Sequence, residues 1–340
     1  MNSPERRATS AEEAFARAER VGIHRIAVPT PFLVGRVNCY LIEDEPLTLI
    51  DTGPNSGKSL DDLEQALGAL GRRIEDLELI VVTHQHVDHL GLLEILARRS
   101  GADVAALDLL APYLADFSRS AAADDEFAQG VMRRHGVPDD LATVLGSLVA
   151  AFRAFGSSGS VSRALRPGGS LEFRDRTLQV FHRPGHSPSD TVFWDEQRAM
   201  LIGGDHLLAR ISSNPLVSRP LSGPEQPRPS ALLQYMDSLR STRELPLRLV
   251  LPGHGDPIVD HAELIDERLR MHRRRADRVL QILGAGPLSA YEIALQMWGN
   301  VAVTQAYLTL SEVLGHLDLL VEMGQAAERE SGGASVFEAL

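Results

Sequence analysis

Between residues 83 and 91 the chain reads THQHVDHLG, which crowds His84, His86, Asp88 and His89 into one short stretch. Imidazole fills a core poorly, and a buried carboxylate is costly unless it is paired or bound to a metal. A histidine-rich polar surface loop would account for the composition without any chemistry. A metal centre would need more: a few nitrogen and oxygen ligands from separate elements, with one position left for water. In an extended segment His84 and His86 point to the same side, because side chains alternate along a strand. Asp88 and His89 follow as the chain turns, so they can reach a second metal. Further along, His186 in HRPGHSPSD, Asp205 in LIGGDHLL and His254 in LPGHGD occupy the same kind of setting. Taken singly, a Pro-Gly-His is a turn with a solvated histidine, and a Gly-Asp is a turn or a helix cap. Together they form a series of ligand-type residues, each just past a strand.

Those strands are legible from alternation and from their turn-forming flanks. GIHRIAVP, RVNCYLIED and LTLIDTG read as strands, and so does LELIVVT, which delivers THQHVDHLG at its C-terminal end. Residues 10–20, KSLDDLEQALGALG and GLLEILARRSG have helical spacing, the last closing on a glycine. Residues 106 to about 160 change character to apolar residues at helical spacing, a helical insertion. SLEFRDRTLQVFHRPG, DTVFWDE, RAMLIGGD and RLVLPGHG return to strands. From about 262 to about 324 the pattern is helical again.

Composition narrows the class. The 340 residues are 44% hydrophobic, enough for a large core in one or two domains. A net charge of -12 argues against general affinity for nucleic acid or anionic membranes. A single cysteine, Cys39, permits no internal disulfide. The charged N-terminal stretch lacks the apolar core of a signal peptide, and no apolar run is long enough to span a bilayer. The expected location is the cytoplasm.

The series of strand-terminal motifs resembles the metallo-β-lactamase superfamily over about residues 22–260. The resemblance implies an α+β fold, an αββα sandwich of two mixed sheets with helices outside. It implies a hydrolase domain over residues 1–261 and an appended module over 262–340. A first metal would take His84, His86 and His186, and a second Asp88, His89 and His254, with Asp205 bridging them. Asp51, in LTLIDTG, would orient a ligand or its loop, or simply cap a turn. The implied cofactors are two divalent cations, zinc by ligand type, with manganese or iron as alternatives. Sharing a water, they would lower its pKa toward neutrality and polarise a substrate carbonyl. Asp88 would orient the resulting hydroxide and carry a proton.

An aspartate at the bridging position sets the chain apart from true β-lactamases. The set is most similar to the glyoxalase II, lactonase and ribonuclease branches. A hydrolase of a small ester-like acyl compound, a thioester or lactone, is therefore expected. The alternative is a single-strand endoribonuclease. LIDERLRMHRRRADRVLQILGAGPLSAYEIALQMWG resembles the linker helix and small winged-helix domain appended to some of these hydrolases. Residues 281–340 hold one basic residue, Arg329, against seven acidic ones, so no DNA-reading role is expected, and the module is read as structural or dimer-forming.

Other readings stay open. Arg268, Arg270, Arg273, Arg274, Arg275 and Arg278 form either a solvated, ion-paired helix face or an anion clamp. Phe117, Phe127, Met132, Phe152 and Phe155 either line an acyl pocket under a lid or form the insertion's own core. His206, Ser212, Ser213 and Asn214, after the bridging aspartate, are candidate contacts for a small-molecule substrate.

Overall fold

The computed structural model of the chain describes residues 4–340 apart from 222, 224 and 225. Six strands form the first sheet in sequential order: β1 (Ile23–Val28), β2 (Val37–Ile42), β3 (Thr48–Ile50), β4 (Leu79–Val82), β5 (Asp103–Leu107) and β6 (Arg163–Leu165). The first three are antiparallel, and β3 through β6 run parallel. The second sheet has the order β11-β10-β9-β8-β7. It comprises β7 (Ser170–Glu172), β8 (Thr177–His182), β9 (Thr191–Asp195), β10 (Met200–Gly204) and β11 (Leu249–Pro252), antiparallel except for the β10–β11 pair.

Alternation along these strands builds the layers. In β4, Leu79 and Val81 enter the space between the sheets while Ile80 and Val82 face the outer helices. In β9, β10 and β11 the residues Phe193, Ile202 and Leu251 point inward, and Trp194, Leu201 and Val250 outward. Helices Gly57–Ala69 and Leu93–Ser100 cover the first sheet, and Ala231–Arg243 and His261–Leu283 cover the second. The result is the expected αββα metallo-β-lactamase sandwich. Strands that are apolar on both faces must be covered on both.

The insertion starts slightly later than its composition indicates. Ala106 and Leu107 still pair with Ala164 and Leu165, so they are sheet, not insertion. Helices then run over Ala111–Ala115, Phe117–Arg134 and Asp139–Phe152. The first helix of the chain is longer than residues 10–20 indicate, spanning Pro4–Glu19.

Beyond residue 261 the chain forms helices His261–Leu283, Ala290–Trp298, Val301–Thr304 and Ala306–Glu322. A three-stranded antiparallel sheet joins them: β12 (Leu288–Ser289), β13 (Ala326–Ser331) and β14 (Ala334–Ala339), in the order β12-β14-β13. Ser289 and Glu292 form a capping box at the start of Ala290–Trp298, each side chain accepting the other's backbone N–H. The apolar core does not break at residue 261. Ile265, Val279, Leu310 and Leu314 share one buried cluster with Val192, Leu201 and Tyr235, and Met132 of the insertion joins it. No helix among the described residues is long and apolar enough to cross a membrane.

Two buried histidines make this core acid-sensitive. His135 ends helix Phe117–Arg134, lies over the Phe337 ring at 6.1 Å and is 4% exposed; burial pushes its pKa from 6.5 to about 4. Burial, with His316 beside it, pushes His272 to about 3. Each is neutral in the fold and takes up a proton more readily once unfolded. Stability is therefore present above 6.5 and lost as pH falls toward 4, by up to about 1.4 kcal/mol per pH unit for each histidine. Urea unfolding on either side of pH 6.5 checks this. His135→Gln should show a shallower acid limb, and an unchanged limb would count against the assignment.

Candidate metal centre

The two edges of the sandwich where strands end converge on one point. β4 hands over to the short helix Val87–Leu90, so His84, His86, Asp88 and His89 arrive together. The turns after β8 and β10 bring His186 and Asp205, and the turn after β11 brings His254. That last turn is clamped to the first sheet. Asn38 N–H donates to the Gly253 carbonyl at 2.7 Å, and the Tyr40 hydroxyl donates to the Pro252 carbonyl at 2.7 Å.

The seven side chains meet in two groups. His86 Nδ1 lies 3.0 Å from His84 Nε2 and 2.9 Å from His186 Nε2. His254 Nε2 lies 3.2 Å from an Asp88 oxygen, and Asp88, His89 and His254 converge as a second triad. Asp205 stands between the groups. Its Oδ1 is 3.5 Å from His89 Nε2, and its Oδ2 is 3.6 Å from His186 Nε2 and 3.4 Å from His254 Nε2.

Hydrogen bonds behind the rings fix which nitrogen faces inward. His186 Nδ1 donates to the Asn214 carbonyl and His254 Nδ1 to the Arg36 carbonyl. His89 Nδ1 donates to Asp51 at 2.7 Å, and the Thr83 hydroxyl donates to the same carboxylate while accepting from His84 Nδ1. With these four rings neutral, their inward nitrogens are lone pairs. Three imidazoles meet within a small space on the first side, and on the second the rings face carboxylates. His89 Nε2, His254 Nε2 and Asp205 Oδ1 are buried with no hydrogen-bond partner. Such convergence is unfavourable for hydrogen bonding and suits cations, whose nitrogen ligands sit at about 2.0–2.1 Å from zinc.

The local electrostatics agree. Burial, reinforced by neighbouring rings, holds His84 well below 6.5 and brings His86 to about 3; burial also lowers His186. All three are neutral, as ligands must be. Burial opposes ionisation of Asp205, yet His254, His89 and His186 bring it well below the usual carboxylate range; Asp88 is lowered against burial by His89 and His254. Burial likewise opposes charge on His89 and His254, but Asp205 above all raises both. Positive charge is favoured here, whether a proton or a metal carries it.

Asp51 serves both groups, holding His89 directly and His84 through Thr83. Its φ of 60° is a left-handed conformation that aspartate tolerates better than most residues. Asp51→Ala should lower metal affinity roughly 10–100-fold with the fold retained. Competition with a chromogenic chelator measures this, and unchanged affinity would sink the role.

The candidate substrate contacts divide. His206 is not one: it is fully buried, its Nε2 bonds the Thr242 hydroxyl at 2.8 Å, and it packs against Tyr235 under helix Ala231–Arg243. The turn after Asp205 rotates it out of the centre. Ser212, Ser213 and Asn214 do line the cavity over the metal centre. Ser213 donates to the Asp205 backbone carbonyl, and Asn214 holds His186 through its carbonyl, so both also brace ligands. Ser212 contacts His272.

That cavity, about 740 Å³, has His86, Asp88, His186, Asp205 and His254 in its floor. Phe117, Phe127, Met132 and Phe152 line it; Phe155 does not, and packs instead on Phe32 and Phe152. Phe117 and Met132 are core residues as well, so the two readings of the insertion coincide there. None of the six helix arginines lines the cavity, so none of them clamps an anion inside it. Arg268 is buried toward the Ala209 carbonyl, Arg275 pairs with Glu312, and Arg270, Arg273, Arg274 and Arg278 point elsewhere.

Four contributors escape sequence reading. Asp190 is buried behind His84 at 3.9 Å and accepts from Ser187 N–H; its only sign is the turn-like SPSD after His186. Asn38 and Tyr40 read simply as strand residues. Residues 304–308, at the start of helix Ala306–Glu322, form a cavity wall from the C-terminal module. Tyr307 donates to the Val217 carbonyl and Asn214 Nδ2 to the Leu308 carbonyl, tying that wall to the loop that holds His186.

Comparison with known proteins places this arrangement. The profile of the Metallo-beta-lactamase superfamily matches residues 33–254. The chain is 34% identical over 295 residues to the probable metallo-hydrolase YqjP of Bacillus subtilis, covering 87% of this chain and 91% of that one. Among solved structures, a metallo-beta-lactamase family protein from Thermus thermophilus superposes with a TM-score of 0.77 at 26% identity, over 94% of this chain and 99% of its own. A beta-lactamase domain protein from Burkholderia ambifaria gives 0.79 at 27%, over 94% and 92%. Matches of that extent reach well past residue 261.

Proposed function

The chain belongs to the metallo-beta-lactamase superfamily and is a metallo-hydrolase of that class, and from this premise we propose a dinuclear enzyme that hydrolyses a small ester-like acyl compound, a thioester or a lactone. His84, His86 and His186 hold one divalent cation, and Asp88, His89 and His254 the other, with Asp205 between them. Zinc suits the all-nitrogen and oxygen donor set. The observation that carries the reading is the set of buried inward nitrogens and the Asp205 oxygen left without hydrogen-bond partners at the floor of a cavity.

When bound, two such cations supply a water of lowered pKa and polarise a carbonyl. The protein's own groups do the rest. Asp51, Thr83 and the Asn214 and Arg36 carbonyls keep the imidazoles in the ligating tautomer. Asp88 is ionised and lines the cavity, so it can take a proton from the attacking water and return it to the leaving group. The insertion and the wall at residues 304–308 limit water access from above.

A panel of neutral aryl esters, acyl-homoserine lactones, acyl-glutathione and acyl-coenzyme A thioesters tests the proposal, with metal analysis alongside. Turnover that chelation abolishes and metal restores is expected on at least one class. No metal-dependent turnover on any of them would sink it. The endoribonuclease alternative needs cations along a strand, and the helix arginines lie away from the cavity. Metal-dependent cleavage of unstructured RNA at low salt would reinstate it.

A further inference from the structure

The cavity above the metal centre is more apolar, and more carefully neutralised, than seven polar ligands require. Phe32, Phe117, Phe127, Met132, Leu145 and Val217 are among its walls. Two arginines reach it, and each is already matched. Arg219 pairs with Asp124 at 2.6 Å, and Arg153 pairs with Asp125. Among the described residues, imidazoles aside, no other cationic side chain lines the space. A carboxylate or phosphate placed inside would meet no free cation above the metal floor and would lose its hydration.

The mouth is apolar too. Val34, Leu148, Val149, Phe152, Ile211 and Leu308 all line the cavity and are 37–58% exposed. Single exposed apolar residues need no explanation, but six around one opening do. They come from four separate segments: the loop before β2, the insertion helix Asp139–Phe152, the loop after Asp205, and the start of helix Ala306–Glu322. Their convergence extends the apolar surface continuously from the interior to the solvent. The volume, about 740 Å³, is of the size that takes a ligand of several hundred daltons.

We propose that this cavity is the binding site for a long, neutral, apolar acyl chain, which selects the substrate of the proposed hydrolase. The inference rests on the ester-hydrolase reading and narrows it. The reacting carbonyl lies at the metal floor, the chain fills the interior, and its far end lies among Leu148, Val149 and Phe152. Because the internal charges are already paired, an acyl group that places a carboxylate inside the cavity is rejected.

The test uses the metal-loaded enzyme with neutral aryl esters of acetic, hexanoic and dodecanoic acids. The specificity constant should rise with chain length by up to roughly threefold to fourfold per buried methylene. A monoester of hexanedioic acid, whose free carboxylate stops inside the cavity, should fall roughly tenfold or more below its hexanoyl counterpart. Leu148→Arg, at a position 58% exposed and so tolerant of change, should flatten the dependence on length. Val259→Arg, 47% exposed and outside the cavity, should leave that dependence as it is. Metal-dependent turnover without any rise with length would overturn the inference while the hydrolase reading stands. If no ester is hydrolysed, that reading fails, and calorimetric binding of neutral alkyl methyl ketones to the same protein decides the pocket. Affinity that climbs with chain length supports it, and affinity indifferent to length overturns it.

Discussion

Replacing Asp205 by asparagine is expected to take the protein from about two bound metal ions per chain to about one, with turnover falling by orders of magnitude. Asp205 faces both groups: Oδ1 lies toward His89, and Oδ2 toward His186 and His254. It is ionised in the fold, so it supplies negative charge between two positions that each attract a cation. An asparagine keeps the shape but not the charge, and it offers one carbonyl oxygen in place of two carboxylate oxygens. The group of His84, His86 and His186 retains three neutral nitrogens, with His86 Nδ1 within hydrogen-bonding distance of the other two. The other group depends on Asp205 for its charge balance, so the loss should fall there. His206→Ala is the matched control. Its ring bonds Thr242 under a helix, so it should cost stability but retain both metals. Metal analysis by mass spectrometry, with circular dichroism to follow the fold, reads the result. Two metals and near-normal turnover in Asp205→Asn would show that this carboxylate does not bridge.

Gly253→Ala is expected to disrupt the same centre without touching a ligand. A Cβ at residue 253 would lie 2.8 Å from His89 Cε1 and closer still to Asp205 Oδ1. His89 is not free to retreat, because Asp51 holds it from behind, and the Asp205 carboxylate can yield only by leaving its place among His89, His186 and His254. The backbone cannot withdraw cheaply either. Gly253 N–H donates to the Gly204 carbonyl at 2.6 Å, and its own carbonyl accepts from Asn38 N–H at 2.7 Å. Moving away breaks one or both of these buried bonds, at about 1–3 kcal/mol for each group left unpaired. The variant should therefore fold with a lowered melting temperature and bind the second metal weakly. Calorimetric metal titration distinguishes that outcome from simple unfolding. Full occupancy at both positions would mean that the centre is looser than these distances indicate.

Candidate ligand residues are legible in sequence because the chemistry resides in the side-chain type. His84, His86, Asp88, His89, His186, Asp205 and His254 each follow a strand, and strands announce themselves by alternation and by their turns. Strands such as Leu79–Val82 and Leu249–Pro252 were legible for the same reason, whereas their arrangement as a sandwich followed from the family resemblance and is shown by their packing. Of what holds the candidate ligands, only Asp51 was named from the sequence. The Asn214 and Arg36 partners are backbone carbonyls, a group every residue carries, so no residue type marks them. His206 looks from its neighbours like a contact, and only the turn after Asp205 sends it under a helix. The arginines of His261–Leu283 suggest a clamp near the site, and only the packing of that helix shows that they stay out of the cavity. Residues 304–308 read as the start of an ordinary helix, yet they wall the cavity. Local pattern thus marked which residues are equipped for metal chemistry and which elements carry them. The shape, neutrality and reach of the cavity were decided only by tertiary packing, because they arise where segments remote in sequence meet, and local periodicity holds no record of which remote surfaces come together.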